Sequence, residues 1–511
     1  MPRWRKIRPG RAAMIGTLAC LLHATPSAAQ RSQTANLLAF DEYVAQAARD
    51  WRVPGLAIAI VKDDSLVFAK GYGVAEQGKS ARATEHTRFA IGSTTKAMTT
   101  AALAMLVDDG KVRWDDRVIE HIPELQLFDS YATRELTIRD LLTHRSGLPG
   151  TDLFWAVKEN PFSMPEMIRQ LRYVRPTTSF RSTWQYQNVM YALAGVVVER
   201  ASGMPWDAFI RSRIFTPLGM TESEALVSEV IGKRDVAVPH AALRDTVRTV
   251  PIRSTDLVAP AGSVWSSVSD MSRWMRFMLD SGRVGAKRLI TPATFREIVA
   301  PQIRVPSDQY PALELAQPKF FSYALGWFVQ EYQGRTAWMH TGSIDGMSAI
   351  IGLLPEQNIG VFVIANLDHA ELRHALMYKA FDLYGNDPSR DWSAELRALF
   401  AKRSAAGSRV PAHVTGRRPS YALDRYVGTY VDSTYGAIEV KLADGALRAR
   451  WGKADLGAID QWEYDAFRSR PTPPADQPTT LTFTPDGAGN IVAVRAFGIS
   501  FARTRARSPR Q

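Results

Sequence analysis

Strand-like segments lie at both ends of a long helical block, and this order constrains the fold of the first 385 residues more than any other feature. Segments 55–61 and 65–74 read as two strands joined by a short turn. Helical periodicity then fills much of the chain to about residue 300. Strands return near 323–330, 336–340, 348–354 and 360–365. We therefore predict a mixed α+β domain whose sheet combines strands from both ends of the segment.

The composition changes after Tyr384. Residues 386–420 are rich in Arg, Ala, Ser and Pro, which predicts a helix and a linker. From residue 421, short strands are separated by Gly and Asp turns, at 428–430, 437–442, 447–451, 479–483 and 492–497. We therefore divide the chain into a leader at 1–29, a first domain at 30–385, a linker at 386–420 and an all-β domain at 421–511.

The N-terminus has the three parts of a secretory signal. Basic residues precede an apolar run at 12–22 that is too short to span a bilayer, and Ser27-Ala28-Ala29 offers a cleavage site. We therefore predict a cleaved signal peptide and a secreted or periplasmic protein, with no transmembrane segment in the mature chain. A lipoprotein anchor at Cys20 is less favoured, because Thr17 fits that recognition sequence poorly.

Composition also excludes several kinds of chemistry. Cys20 is the only cysteine, so cleavage of the leader would remove every thiol ligand and nucleophile. The net charge of +12 is spread along the chain without a basic face carrying aromatic platforms, so we expect no nucleic-acid partner. His369 and His374 are five residues apart and do not share a helix face as paired metal ligands would. We expect no metal and no other cofactor.

The segment Ser93-Thr94-Thr95-Lys96 supplies a candidate nucleophile and its base. Gly92 allows a tight turn before it, and an apolar helix follows. Residues three apart on a helix share a face, so Lys96 can reach the Ser93 hydroxyl, which needs a base to react. Burial lowers the pKa of a lysine and lets it accept or relay a proton. The same residues would also suit a helix cap with a surface lysine.

Tyr186-Gln187-Asn188 is the second candidate element. A phenol close to the lysine is either held as a phenolate or passes protons to the leaving group. Asn188 would offer its amide to the carbonyl on the acyl side of the substrate. Tyr384-Gly385-Asn386 repeats the pattern, but we interpret that copy as a helix end, because only Tyr186 lies between the other two elements.

His340-Thr341-Gly342 is the third element, and we expect it at the end of an edge strand. His340 and Thr341 offer hydrogen bonds to a substrate carboxylate or to the tyrosine and lysine. Gly342 lets a substrate lie close to the backbone. The backbone N–H of Ser343 would then form an oxyanion hole together with that of Ser93.

These three elements, in this order, resemble the motifs of the class C β-lactamases, the DD-peptidases among the penicillin-binding proteins, and their esterase relatives. The resemblance covers residues 38–385 and is strengthened by segments 141–148, 260–263, 269–271 and 346–348. It implies an antiparallel sheet flanked by helices, beside an all-helical subdomain, with the site between them. The C-terminal domain resembles the lipocalin-like β module that often follows this domain.

The resemblance implies a serine hydrolase that forms an acyl-enzyme with a small-molecule or peptide substrate. The candidate substrates are esters, D-amino-acid peptides or amides, and β-lactams. The alternative is a penicillin-binding or peptidoglycan-fragment sensor that is acylated but turns over poorly. The expected site residues are Ser93, Lys96 and Tyr186 for catalysis, Asn188, His340, Thr341 and Gly342 for substrate binding, and Ser93 with Ser343 for the oxyanion hole.

One departure from the family pattern affects the expected substrate. Many β-lactamases of this family have lysine where this chain has His340. Histidine is only partly charged at neutral pH, so it should hold a β-lactam carboxylate less firmly. We therefore expect weaker β-lactamase activity, with His340 as a partly charged carboxylate anchor. The chain has neither the G-x-S-x-G elbow of α/β-hydrolases nor the Ser-Asp-Asn of class A β-lactamases.

Overall fold

The computed structural model describes Met1 and residues 28–156, 162–243, 246–368, 371–385, 387–407, 416–469 and 478–504. The predicted signal peptide lies almost entirely outside these residues, as do Cys20, His369 and Asn386. Within the described part of the chain, no helix combines the length and the apolar composition that a bilayer span requires. An α+β domain is followed by a β-barrel, as the sequence predicts.

An antiparallel sheet of eight strands forms the framework of the first domain. The strands are β1 (Gly55–Lys62), β2 (Ser65–Gly73), β3 (Ile303–Arg304), β4 (Phe321–Tyr323), β5 (Phe328–Tyr332), β6 (Arg335–Ile344), β7 (Met347–Leu354) and β8 (Ile359–Ala365). Their order across the sheet is β2-β1-β8-β7-β6-β5-β4-β3. Because β1 pairs with β8 from Leu56 to Lys62, strands from both ends of the domain lie side by side, which confirms the predicted sheet.

Five helices pack on the sheet or carry the site. They are α1 (Ala28–Asp50), α2 (Thr95–Asp108), α3 (Asn188–Ser202), α4 (Leu372–Asp382) and α5 (Trp392–Gly407). The other α-helices are Val118–His121, Ser130–Glu135, Ile138–Leu142, Met164–Gln170, Trp206–Ile210, Thr216–Leu218, Ala259–Gly262, Val268–Leu279, Pro292–Val299 and Ala312–Ala316, and of these Val268–Leu279 also packs on the sheet. The short strand pairs are Phe89–Ala90 with Trp265–Ser266, His240–Leu243 with Thr246–Thr249, and Arg283–Val284 with Lys287–Arg288.

The sheet is covered on both faces, because alternate side chains of β1 enter two hydrophobic cores. Leu56, Ile58 and Ile60 lie in the core formed with α1, α4 and α5. Ala57 and Ala59 lie in the core shared with the helical block. At the centre of that block α2 is buried from its first residue almost to its last, and it packs against α3. A helix that is apolar on every side is stable only in such an enclosed position.

The predicted strand at 323–330 is wrong in one respect, because the structure has two strands, β4 and β5, joined by a tight turn. The backbone N–H of Ala324 donates to the carbonyl of Trp327 at 2.7 Å. Gly326 has a φ of +80°, and a Cβ there would lie 2.7 Å from Thr100 Oγ1. The turn is buried under α2, so the apolar run continues through it and periodicity alone does not reveal the break.

The prediction that β6 is an edge strand is wrong for most of its length, because β6 lies between β5 and β7. Pairing with β5 ends at Met339, however, whereas pairing with β7 continues to Ile344. The last residues of β6 therefore have one backbone edge that is not paired within the sheet. This edge lies against the turn at Gly92, which precedes α2.

A closed antiparallel barrel of eight strands forms the C-terminal domain, in agreement with the lipocalin-like module that the resemblance implies. The strands are β9 (Gly428–Asp432), β10 (Gly436–Ala443), β11 (Ala446–Trp451), β12 (Ala454–Glu463), β13 (Ala466–Ser469), β14 (Thr480–Pro485), β15 (Ile491–Ala496) and β16 (Ile499–Arg503). Alternate side chains, among them Tyr430, Trp451 and Phe483, are buried and fill the interior. The sequence analysis missed β12, β13 and β16, which are short or largely polar.

Helix α5 packs into the core of the first domain, although it lies in the segment predicted as a helix and linker. Trp392 is 0% exposed, and its ring stacks on that of Tyr378 at 4.6 Å between centroids. Its Nε1 donates to Asp382 Oδ2 at 2.7 Å. We therefore propose that the first domain extends to residue 407.

Replacing Trp392 by alanine should lower the free energy of unfolding of the first domain by about 3–5 kcal/mol, because a large buried ring leaves a cavity. Urea unfolding followed by circular dichroism measures the change. Lys402→Ala, at an exposed position of the same helix, is the control and should leave the stability unchanged. Equal stability of both variants would show that α5 does not belong to this core.

Candidate active site

Ser93 lies at a sharp turn between a short strand and helix α2. The strand Phe89–Ala90 leads to Gly92, which has a φ of +54°, and the 3₁₀ turn Gly92–Thr94 continues into α2. Only a glycine adopts this backbone conformation without strain. Ser93 itself is half-buried, whereas Thr94 and Lys96 are buried. The Ser93 hydroxyl is therefore accessible at the N-terminal end of an otherwise enclosed helix.

Two glycines bring this turn directly against the unpaired edge of β6. A Cβ at Gly342 would lie 2.0 Å from the carbonyl oxygen of Ile91, and a Cβ at Gly92 would lie 2.7 Å from Ser343 N. A side chain at either position would push the two segments apart. The N–H of Ser343 thus lies beside the first turn of the helix, where N–H groups have no helical partner. This arrangement suits an oxyanion held between Ser93 and Ser343.

Lys96 is completely buried, and its amine contacts three oxygen atoms. Nζ lies 2.9 Å from Ser93 Oγ, 2.7 Å from Asn188 Oδ1 and 2.8 Å from the carbonyl oxygen of Ala261. Burial holds the pKa of Lys96 well below its ordinary value, although the charge of Asp152 opposes the shift.

The neutral form of the amine fits these contacts. Two of the oxygens, those of Asn188 and Ala261, can only accept, and they use the two N–H groups of a neutral lysine. The lone pair of Nζ then remains for the proton of the Ser93 hydroxyl. A neutral Lys96 would therefore be placed to accept the proton of the Ser93 hydroxyl.

Tyr186 lies beside the same pair. Lys96 Nζ is 4.7 Å from the centre of the Tyr186 ring, and the phenol interacts with Ser93. Burial raises the pKa of Tyr186 well above its ordinary value, against the opposing effect of Ser93. The side chain is thus a neutral phenol at physiological pH. Of the two roles considered from the sequence, phenolate and proton relay, the geometry favours the relay.

Asn188 begins α3 and connects Lys96 to Asp152. Its Oδ1 accepts from Lys96, and its Nδ2 donates to Asp152 Oδ1 at 3.0 Å. Asp152 is exposed and also accepts from Trp155 Nε1 at 3.0 Å. The sequence predicts that Asn188 also donates to a substrate carbonyl, and its amide nitrogen has a second proton for such a bond.

The His340 side chain points into the core and not into the cleft. It is 1% exposed, and its Nε2 lies 2.9 Å from the Tyr323 hydroxyl oxygen. Its Nδ1 lies 2.6 Å from the carbonyl oxygen of Thr341. Because a carbonyl only accepts, Nδ1 carries the proton and Nε2 accepts from Tyr323. Burial lowers the pKa of His340 to about 3.

The expectation that His340 is a partly charged carboxylate anchor does not fit this environment, because the imidazole is neutral and enclosed. Thr341 and Gly342, the other two residues of this motif, lie beside the nucleophile turn or the cleft. Thr341 Oγ1 lies 2.9 Å from the hydroxyl oxygen of Tyr310, and Gly342 provides the close contact with the nucleophile turn. Tyr310 itself carries no sequence motif and was not predicted.

Arg373, near the start of α4, holds the end of β6. Its Nη1 donates to the carbonyl oxygen of Gly342 at 2.6 Å and to Ser343 Oγ at 2.8 Å, and its Nη2 donates to Glu371 Oε1 at 3.1 Å. Burial would raise the pKa of Glu371, but Arg373 and His374 together lower it to about 2. The carboxylate therefore stays charged, and the anchored arginine fixes the position of the Ser343 N–H.

A buried histidine supports Tyr186 from the neighbouring loop. His144 Nδ1 accepts from the backbone N–H that follows Tyr186 at 3.0 Å, and the two rings lie 4.4 Å apart. Asp140 accepts from Arg145 Nε at 2.5 Å and from Arg181 Nη2 at 2.7 Å, which ties together the loops on either side. The segment singled out by its resemblance to the family thus positions the tyrosine.

The structure gathers the predicted nucleophile, lysine, tyrosine and asparagine in one cleft beside β6. The second Tyr-x-Asn copy lies elsewhere, with Tyr384 close to Lys62. Asp152 and Arg373 contribute to the site without belonging to any motif, and neither was predicted. Arg373 is one of three charged residues in α4, with Lys379 and Asp382, so its segment offered no distinct signal.

In the described ranges, no group of three or more His, Cys, Asp or Glu side chains is arranged to hold a metal ion. His374 is buried in α4, and its ring lies 5.2 Å from that of Tyr310. His374 therefore packs in the hydrophobic core beneath the site.

The sheet, the helical block and the cleft between them define a serine hydrolase of the β-lactamase and penicillin-binding-protein type. Residues 40–383 match the family model described as Beta-lactamase, and the chain belongs to this family. Residues 412–506, which include the barrel, match a second model described as a domain of unknown function, DUF3471.

Similar proteins match between about three fifths and nine tenths of this chain. The unguisins hydrolase ungD of Aspergillus violaceofuscus is 28% identical over 446 residues, covering 80% of this chain and 78% of that protein. Protein flp of Staphylococcus aureus (strain COL) is 25% identical over 322 residues, covering 62% of this chain and 60% of that protein. The structure of the octameric penicillin-binding protein homologue from Pyrococcus abyssi matches 91% of this chain and 100% of its own, with a TM-score of 0.62 and 22% identity, which shows a shared fold.

The buried neutral His340 should make the protein less stable as the pH falls. Its pKa in the folded state is about 3, below the ordinary value near 6.5, so between these values the unfolded chain binds a proton that the folded chain does not. For one such histidine, the free energy of unfolding falls by at most about 1.4 kcal/mol for each pH unit between about 6.5 and about 3. Urea unfolding at pH 7, 6 and 5 should therefore show a smaller pH slope in His340→Gln than in the wild type. His86→Gln, at an exposed site, is the control, and an unchanged slope in His340→Gln would contradict the assignment.

Proposed function

We propose that the protein is a serine hydrolase that works through an acyl-enzyme formed on Ser93. The proposal is carried by the buried amine of Lys96, which lies 2.9 Å from Ser93 Oγ and whose pKa is held well below its ordinary value by burial. The hydrolase name of a relative that spans 80% of this chain supports the same kind of chemistry. The proposed substrates are esters, D-amino-acid peptides or amides, and β-lactams.

In the proposed acylation, Lys96 takes the proton of Ser93 as Oγ attacks the carbonyl carbon of the substrate. The N–H groups of Ser93 and Ser343 stabilise the oxyanion that forms. The tetrahedral intermediate then collapses, the bond to the leaving group breaks, and Tyr186 gives the leaving group a proton. Lys96 passes its extra proton to Tyr186, so both groups return to their starting forms.

In the proposed deacylation, a water molecule attacks the acyl carbonyl and Lys96 takes its proton, directly or through Tyr186. The same oxyanion hole stabilises the second tetrahedral intermediate. When this intermediate collapses, Ser93 Oγ leaves and regains its proton from Lys96. The products are the free acid and the starting enzyme, so one base serves both halves of the reaction.

Among the proposed substrates, β-lactams have the least support. Penicillins and cephalosporins carry a carboxylate, and the neutral, buried His340 supplies no charge to hold it. Neutral esters and D-amino-acid amides do not depend on that contact, whereas D-amino-acid peptides that end in a free carboxylate do. We also propose that the protein is exported, on the strength of the basic, apolar and small residues that follow one another at its N-terminus.

Ser93→Ala should abolish hydrolysis of p-nitrophenyl esters, because no other hydroxyl is expected to be activated by Lys96. Mass spectrometry after treatment with a fluorophosphonate should find the adduct on Ser93 in the wild type and no adduct in the variant. Ser343→Ala is the matched control, since it keeps the backbone N–H, and it should retain most of the activity. An adduct on another serine, with Ser93→Ala still active, would overturn the proposal.

The first turnovers separate an enzyme from the sensor considered in the sequence analysis. Steady release of p-nitrophenol over many equivalents supports the hydrolase. A burst of one equivalent followed by a stop would instead favour a protein that is acylated and deacylates poorly.

Lys96 and Tyr186 should behave as one unit. Lys96→Ala and Tyr186→Phe should each lower kcat by about 100-fold or more, as expected for lost general acid–base catalysis. The double variant should lose far less than the product of the two effects, because groups that share one proton path are not additive. The kcat values of the four proteins on one neutral ester measure this, and full additivity would show that the two residues act in separate steps.

A further inference from the structure

The cleft runs along the unpaired edge of β6, and its two ends differ in chemistry. At one end, Thr341 Oγ1 contacts the Tyr310 hydroxyl at 2.9 Å, and the Tyr186 ring lies 6.4 Å from that of His340. At the other end, beyond Ser343, lies Asp345 in the turn after β6. A leaving group that takes its proton from Tyr186 lies at the first end. The acyl part of the substrate therefore extends toward the second end.

Asp152 is the charged group at this acyl end. It is exposed, and it is connected to the catalytic lysine through Asn188, whose Nδ2 donates to Asp152 Oδ1 at 3.0 Å. Trp155 Nε1 donates to the same oxygen at 3.0 Å. Both hydrogen bonds fall on Oδ1, so in the described part of the site Oδ2 is left to a ligand.

Two cations of the described part of this region, Lys96 and Arg253, are engaged by other groups. The Lys96 amine is directed to oxygens of Ser93, Asn188 and Ala261, and burial holds its pKa well below the ordinary value. Arg253 is engaged by Asp345, with Nε and Nη2 each 2.5 Å from a carboxylate oxygen. Asp152 therefore presents a negative charge to the acyl end of the cleft.

The loop that carries Asp152 is held from both sides. Phe154 is 0% exposed, and its ring lies 5.1 Å from that of Tyr435, which belongs to the β9–β10 turn of the barrel. Arg253 Nη1 donates to the carbonyl oxygen of Ala156 at 2.9 Å. A carboxylate held in a fixed position loses little entropy when it binds a ligand, so this loop is suited to recognise charge.

We infer that Asp152 selects substrates whose acyl group carries an ammonium, such as amides and esters of amino acids with a free amine. The inference rests on the proposed function and names a substrate class for the same site. The ammonium donates to Asp152 Oδ2, while the acyl carbonyl lies in the oxyanion hole. Asp152 is thus a specificity-determining residue, and the barrel contributes to the specificity by fixing its loop.

Boronic acids test the inference without depending on turnover, because boron accepts Ser93 Oγ and forms a tetrahedral adduct. (1-Aminoethyl)boronic acid and isopropylboronic acid differ only in an ammonium that replaces a methyl group. Titration calorimetry gives the Kd of each for the wild type and for Asp152→Asn, which keeps an oxygen acceptor for Asn188 and Trp155. The readout is the ratio of the two Kd values, since any effect on Lys96 acts on both ligands.

The wild type should bind the amino compound at least about tenfold more tightly, and Asp152→Asn should reduce this preference by about 10- to 100-fold. Asp308→Asn, which removes an exposed carboxylate elsewhere on the domain, is the control and should keep the wild-type ratio. Binding of both boronates that requires Ser93 but shows no preference for the amine would overturn the inference and leave the proposed function standing. If neither boronate binds and no ester is hydrolysed, the proposed function fails and the inference falls with it.

Discussion

The burial of one amine sets the positions of the elements around it. An unpartnered polar group in a protein interior costs several kcal/mol, so a buried Lys96 requires its three oxygen partners. They belong to Ser93 in the turn before α2, to Asn188 on α3 and to Ala261 on a short helix. The short helix that carries Ala261 can approach α3 closely because residue 195 is a glycine. A Cβ at Gly195 would lie 2.1 Å from the Pro260 ring. The contacts that satisfy the Lys96 amine also hold it beside the Ser93 hydroxyl, where a neutral amine could accept the Ser93 proton.

The sheet supplies the complementary half of the site. The backbones at Gly92 and Gly342 touch, and Arg373 binds the strand end from behind. The guanidinium of Arg373 is paired with the Glu371 carboxylate, so the charges beneath the oxyanion hole are those of an ion pair. A developing oxyanion would meet two N–H donors on a strand end that this ion pair holds through the Gly342 carbonyl. The base and the donors to the oxyanion are thus separate groups.

The sequence was sufficient for features that depend on local pattern. Strand periodicity predicted the sheet, and helical spacing placed Lys96 beside Ser93. It was insufficient where tertiary packing decides. The turn at Gly326 is hidden because α2 buries it, and His340 was misjudged because its charge depends on Tyr323 and Thr341, which enclose it. Asp152 and Arg373 could not be predicted for the same reason, since each reaches the cleft from a segment distant in the sequence.

The role of the barrel follows from where its side chains are. Its interior is filled by buried residues such as Tyr430 and Trp451, so the barrel contacts the loop of the cleft through its outer surface. There, the β9–β10 turn is stiffened by Trp451 Nε1, which donates to the carbonyl of Tyr435 at 2.8 Å, and the Tyr435 ring covers Phe154. The contact between Tyr435 of the barrel and Phe154 restricts the motion of the loop that carries Asp152. The residues proposed for catalysis therefore all lie in the first domain. The shape of the acyl end of the cleft depends on the first domain and on the barrel together.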